Sequence, residues 1–132
     1  MAALRKIVYD RCMARAGITA IISTRCYPNQ LPENVTYPAL TYKAPVSASD
    51  AGYRDHSAPT TRTVDRVQLD SYAATGDAAE TLADQVAAAF NGWKSDAVDV
   101  GYSFVANRTD FGWQAGIGVY RQMVDVMIEH AI

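Results

Sequence analysis

The stretch from Thr63 to Trp93 reads as one strand, one tight turn and one amphipathic helix, and the rest of the chain is built onto that unit. In Arg66-Val67-Gln68-Leu69-Asp70-Ser71-Tyr72 polar and apolar side chains alternate. A period of two places Val67, Leu69 and Ser71 on one face of a sheet and Arg66, Gln68 and Asp70 on the other. Thr75-Gly76 interrupts the strand. Asp77 is the expected N-cap of the helix, with Glu80 three residues on to complete a capping box. Ala79, Leu82, Ala83, Val86, Phe90 and Trp93 recur at three- and four-residue steps, an apolar stripe that must be buried, while Glu80, Asp84 and Gln85 lie off it. The small residues Ala79, Ala83, Ala87 and Ala89 let the helix axis come close to the sheet face carrying Val67 and Leu69. Asn91-Gly92 ends the helix.

On the N-terminal side, Leu4, Ile7, Val8 and Cys12 are spaced as the buried stripe of a first helix from Ala2 to about Ala16, which Gly17 stops. Ile18 to Ile22 is short and apolar, a last helical turn or a connector packing beneath the sheet, of which the connector is the preferred reading. Arg25-Cys26-Tyr27 reads as a brief edge strand, and Pro28, Pro32 and Pro38 exclude helix and central strand from the segment that follows. Ala39 to Val46 is a strand with Leu40, Tyr42 and Ala44 on one face, and Pro45 bends it or marks an edge. Ser47 to Arg62 is polar with almost nothing to bury, a loop of a length that is uncommon inside compact domains. After the helix, Val98, Val100, Tyr102, Phe104 and Ala106 share one register of a strand. Asn107 to Gly118 is a turn-rich connection, and Val119 to about Glu129 is a last strand, apolar in part on both faces and therefore central or covered by a neighbouring subunit. The expected fold is α+β: a mainly antiparallel four-stranded sheet, two helices packed on one face, and a long polar loop between the first two strands.

With 132 residues, 49% of them hydrophobic and 20% charged, the chain reads as one domain over residues 1–132. A core of that size needs neither disulfide nor metal. The net charge of −2 argues against a protein whose task is to grip nucleic acid. Cys12 and Cys26 lack C-x-x-C spacing and no secretory signal is read, so both are expected as packed, reduced thiols. The apolar runs fall short of a membrane span. A protein soluble and intracellular when made is the expectation.

No residue pattern marks a catalytic site. A nucleophile needs a base in reach, and the only histidines are His56 in the polar loop and His130 near the end. Asp50, Asp55 and His56 lack the pattern of a hard-ligand metal loop. Gly112, Gly116 and Gly118 precede a strand, not the helix that a phosphate cradle requires, so they read as hairpin geometry. The aromatic set Trp93, Tyr102 and Phe104 is expected in the core. No catalytic residue, cofactor or metal is assigned, and the protein is expected not to be an enzyme. The sheet face carrying Arg66, Gln68, Asp70, Arg121 and Asp125, interleaved with Met123, Val119 and Tyr72, is left open in a monomer and suggests assembly.

The N-terminal helix, Arg25-Cys26-Tyr27-Pro28, Pro32, Tyr37-Pro38-Ala39-Leu40, Val67-Gln68-Leu69-Asp70-Ser71-Tyr72, the helix Ala78 to Phe90, and Tyr120-Arg121-Gln122-Met123-Val124-Asp125 stand in an order and spacing that resemble the tail terminator, or tail-completion, family of long-tailed bacteriophages. The resemblance implies a homo-oligomeric, hexameric ring on the head-proximal end of the tail tube. Such a ring ends tube elongation and presents the surface that joins tail to head. Its partners are then the major tail tube protein and the neck proteins of the head–tail connector, with DNA passing through unbound and no membrane involved. The location implied is the virion tail after assembly in the host cytoplasm, and gene transfer agents use the same module. A head-side stopper and a small ligand-binding α+β domain are the alternatives.

On this reading Ser47 to Arg62 is mobile in the monomer and ordered in the ring, with Tyr53, Arg54, Asp55 and Arg62 against a neighbour or the tube. Ordering ten residues costs on the order of 10 kcal/mol. That is offset by burying roughly 400 Å² of apolar surface, which the loop lacks by itself and a neighbour supplies.

Overall fold

The computed structural model describes residues 3–46, 53–55 and 58–131, with the backbone alone over 53–55 and 58–61. Three helices, α1 (Leu4–Ala14), α2 (Ala16–Ile22) and α3 (Gly76–Phe90), accompany six strands. These are β1 (Cys26–Pro28), β2 (Ala39–Lys43), β3 (Tyr53–Asp55), β4 (Ala58–Ala73), β5 (Val100–Gln114) and β6 (Val119–Ala131). The sheet order is β1-β2-β4-β6-β5, with β3 also paired to β4. β1 and β2 run parallel and every other pair antiparallel. The class is α+β as expected. The sheet, however, is mixed and six-stranded, and there are three helices in place of two.

β4 and β6 pair from Arg62↔Ala131 to Ala73↔Tyr120. Val67 faces Val126 and Leu69 faces Val124, which puts these four on the side that the helices cover, with none of them exposed. Arg66, Gln68, Asp70 and Tyr72 lie opposite Met127, Asp125, Met123 and Arg121 on the other side, so the alternation read from the sequence holds. β6 is a central strand, flanked by β4 and β5. One of its faces lies under α3 and the other, with Met123 and Met127, belongs to the open side of the sheet.

The α3 stripe Ala79, Leu82, Ala83, Val86, Ala89 and Phe90 is buried against β4, β5 and β6. Each large side chain on it contributes about 1.5–3 kcal/mol of burial. The cap differs from expectation. Thr75, in extended conformation, accepts the Ala78 N–H on its hydroxyl at 3.1 Å, so the helix begins at Gly76 and Asp77 lies in its first turn. Asp77 then favours the helix by its charge near the positive end of the dipole and not as the cap, and Glu80 closes no capping box.

Gly17 does not stop a helix. The break falls two residues earlier, at the extended residue Arg15 (φ −96°, ψ 112°), and the chain re-enters helix at Ala16. Inside α2, a Cβ on Gly17 would run into the Gln85 side chain of α3. The glycine therefore serves close approach between two helices. Ile18 and Ile22, expected in a connector, are fully buried by α2.

β5 departs furthest from its expected register. Bulges lie between Val100 and Tyr102, Val105 and Asn107, and Asp110 and Gly112. One extra residue at Gly101 flips the alternation. Val100, Ser103 and Val105 take the helix side opposite His130, Ile128 and Val126, while Tyr102 and Phe104 take the open side opposite Glu129 and Met127. Tyr102 and Phe104, expected in the core, are 37% and 44% exposed and stack on each other, with centroids 6.0 Å apart. Of the three aromatics grouped by the sequence, only Trp93 packs on the core, edge-on to Phe90. Nor is Asn107 to Gly118 mostly turn. β5 continues to Gln114, and its C=O accepts the amides of Ile117 and Gly118 to close a short hairpin, with Gly118 at φ 70°.

The expected loop from Ser47 to Arg62 is in part a hairpin. Tyr53 pairs with Arg62 and Asp55 with Ala58, so β3 and the start of β4 extend the sheet as a two-stranded arm. Backbone pairing of this kind needs no apolar alternation, which is why the stretch reads as loop. Residues 47–52 and 56–57 lie outside the described residues, and with them Asp50 and His56.

Candidate functional site

The foot of the arm is tied down within the chain. The Arg62 guanidinium donates to Asp99 Oδ1 at 2.8 Å, to the Asp99 backbone C=O at 3.3 Å, and through Nε to the Glu129 carboxylate. Asp99, itself at φ 59°, also accepts the Ala131 N–H on its C=O. The hydrogen bond to Asp99, and after it Glu129, raise the Arg62 guanidinium above its ordinary range against the pull of desolvation. Glu129 finds its room because Gly101 has no side chain; a Cβ there would collide with the carboxylate. Of the loop residues expected at an interface, Arg62 thus has partners in its own chain, while the side chains of Tyr53, Arg54 and Asp55 lie outside the described ones.

The five sheet residues expected to act together do share one face, and they mostly satisfy one another. Asp70 accepts from Arg121 Nε at 3.1 Å and from Gln68 Nε2 at 2.9 Å. The Arg121 guanidinium sits 4.4 Å over the Phe111 ring. Asp125 has Arg66 Nε at 4.0 Å, while its buried Oδ1 finds no hydrogen-bond partner among the described residues. Asp70 and Asp125 are buried, so Arg66 is the charge that this group offers to a partner. On the same face, across Met127 from Arg66, stand the exposed Phe104 and its neighbour Tyr102, both expected in the core from the sequence. Gly101 inside an otherwise strand-like run was the available signal, since an isolated strand glycine marks a bulge.

A second apolar exposure lies at the β5–β6 hairpin, where Phe111, Trp113 and Ile117 are 44%, 54% and 49% exposed. Ile117 closes a groove of about 400 Å³ whose opposite wall is Leu31, Val35 and Tyr37. A further groove of about 390 Å³ lies beside Tyr9 and Tyr42 and is bordered by Arg5 and Lys6.

His130 has Nε2 2.8 Å from Asp65 Oδ2 and Nδ1 2.9 Å from the Ala131 C=O. Both ring nitrogens are thereby within hydrogen-bond distance of a partner in the chain. Cys12 and Cys26 are free and buried, and the Cys12 thiol is pushed well above its usual range, first by a hydrogen bond with Cys26 and then by burial. No group of three His, Cys, Asp or Glu among the described residues is placed to hold a metal ion. Among them too, no helix is long and apolar enough to cross a membrane. The arrangement offers surfaces.

Comparison with known proteins bears on those surfaces. The sequence model of the family described as "Tail completion protein gp17" matches residues 6–129. A chain in the solved structure of the virion of a native gene transfer agent (GTA) particle superposes with a TM-score of 0.72 at 18% identity, over 98% of this chain and 96% of that one. At that identity the likeness is one of fold. No curated protein sequence matches the chain.

Proposed function

The chain belongs to the tail completion protein gp17 family, and from that premise we propose that it is a structural protein of a phage tail, or of a phage-derived particle such as a gene transfer agent, acting by assembly and not by catalysis. It forms a hexameric ring on the head-proximal end of the finished tail tube. There it stops addition of the major tail tube protein and presents the surface that the neck proteins of the head engage. The observation that carries this reading is the family match over nearly the whole chain, and the likeness to a chain of a GTA virion supports a place in the particle. The exposed aromatics of the open sheet face, with Arg66, support a surface made to be covered. The arm brings Tyr53, Arg54 and Asp55 against a neighbour or the tube. The net charge of −2 suits a ring through which DNA passes without being held.

Particles made without this chain test the reading. Overlong tubes with no heads attached are expected, and adding the purified protein to growing tubes should stop them. Tubes of normal length beside heads that leak DNA would instead assign the chain to the head-side neck.

A further inference from the structure

The helix layer is electrically divided. α1 packs on β1 and β2 at one edge of the sheet, and α3 packs on β4, β6 and β5 toward the other. α1 carries Arg5, Lys6 and Arg11 against the single carboxylate Asp10. α3 carries Asp77, Glu80 and Asp84 and no Lys or Arg, and on β5 Arg108 and Asp110 cancel. The three α3 carboxylates recur at three- and four-residue steps, hence on one face of the helix, and Asp84 reaches Arg108 of β5 at 2.9 Å, which directs that face to the β5 edge. Arg11 and Lys6 are engaged within the chain, Arg11 donating to the Ala89 C=O at 2.9 Å and Lys6 to Asp10 at 2.6 Å, although Lys6, like Arg5, stays exposed.

Each edge also has an unfilled feature. On the α1 side it is the groove bounded by Arg5, Lys6, Tyr9 and Tyr42. On the other side it is the outer edge of β5. There Gly92 and the Asn91 side chain cover Ser103 and Val105, but from Asn107 to Gln114 no second strand flanks β5 among the described residues.

We propose that copies of this chain join head to tail, the basic α1 side of one against the acidic α3–β5 side of the next. The inference rests on the ring reading above and names the contact that closes the ring. The occupant of each edge is a second copy because the complementary charge is carried by the same chain on its opposite edge. A contact between two different surfaces of one chain is heterologous and propagates into a ring when its rotation closes. Opposite charges steer that encounter, and like charges oppose the two-fold alternative of α1 on α1. The open sheet face and the arm then remain for the tube or the neck.

Charge reversal tests the contact. Arg5→Glu/Lys6→Glu and Glu80→Lys/Asp84→Lys are made as two separate proteins, shown to be folded by circular dichroism, and weighed in solution beside the unaltered chain. Each alone should stay monomeric where the unaltered chain forms rings, and an equal mixture should regain rings of alternating copies. Should a reversed chain fail to fold, Arg5→Gln/Lys6→Gln reads the same contact as a rise of about tenfold in the concentration needed for assembly. Rings formed by either reversed chain alone, a mixture that stays monomeric, or an unchanged assembly concentration for the neutral variant would overturn this contact and leave the ring standing. An unaltered chain that forms no ring even with tail tube present would remove both.

Discussion

Arg62 and Glu129 are joined across the sheet at the foot of the arm, by a guanidinium Nε that donates to a carboxylate only 11% exposed. Truncating Arg62 to Ala leaves that carboxylate without its cation, which should cost about 1–2 kcal/mol after allowing for the partial exposure of the pair. Gly101→Ala should cost a similar amount, because the new methyl displaces the same carboxylate. Arg62→Lys should recover part of the loss only, since an ammonium lacks the fork that reaches Asp99 and Glu129 together. Urea midpoints measure all three, and unchanged midpoints would show that the clamp contributes nothing.

The helix cap gives a comparison between neighbours. Thr75→Ala should destabilise by about 1 kcal/mol through loss of the bond to the Ala78 amide. Asp77→Ala should lose about 0.3–1 kcal/mol, because it acts on the helix dipole alone. The opposite ranking in thermal unfolding would return the cap to Asp77.

The buried Cys12 thiol holds its proton more tightly in the folded chain than in the unfolded one. Its contribution to stability is therefore complete below the unfolded pKa of about 8.5 and is lost as pH rises toward the folded value. Cys12 should resist iodoacetamide at neutral pH until urea unfolds the chain, and the midpoint should fall once the pH passes about 8.5. Rapid alkylation of the folded protein would contradict this.

If the arm meets a neighbour or the tube, the amides of β3 and of β4 before Arg62 should exchange more slowly after assembly, by about tenfold or more for bonds newly withdrawn from water. The amides of Val67 and Leu69, already at the centre of the sheet, should change little. Unaltered exchange in the arm would place its contacts elsewhere.

The sequence made the β4–α3 unit legible because both periods are strong there: alternation in Val67, Leu69 and Ser71, and a helical stripe ending at Phe90. It concealed three things for separate physical reasons. The turn before α3 contains two residues able to cap, and the choice of Thr75 over Asp77 depends on the backbone entering at Thr75 in extended form. The register of β5 depends on a bulge at Gly101, whose single inserted residue sends Tyr102 and Phe104 out of the core. α2 is short, and Gly17 within it reads as a stop unless the approach of Gln85 is known. The candidate site suffered most from the second. Arg66, Asp70 and Asp125 could be assigned to one face by counting, but their mutual pairing with Gln68 and Arg121, and the aromatics beside them, follow from cross-strand register.

The central claim is tested most directly by the mass of the purified protein in solution over a concentration series, with and without the tail tube. The account predicts a monomer that passes to a hexameric ring at high concentration or on the tube. A monomer at every concentration, indifferent to the tube, would contradict it.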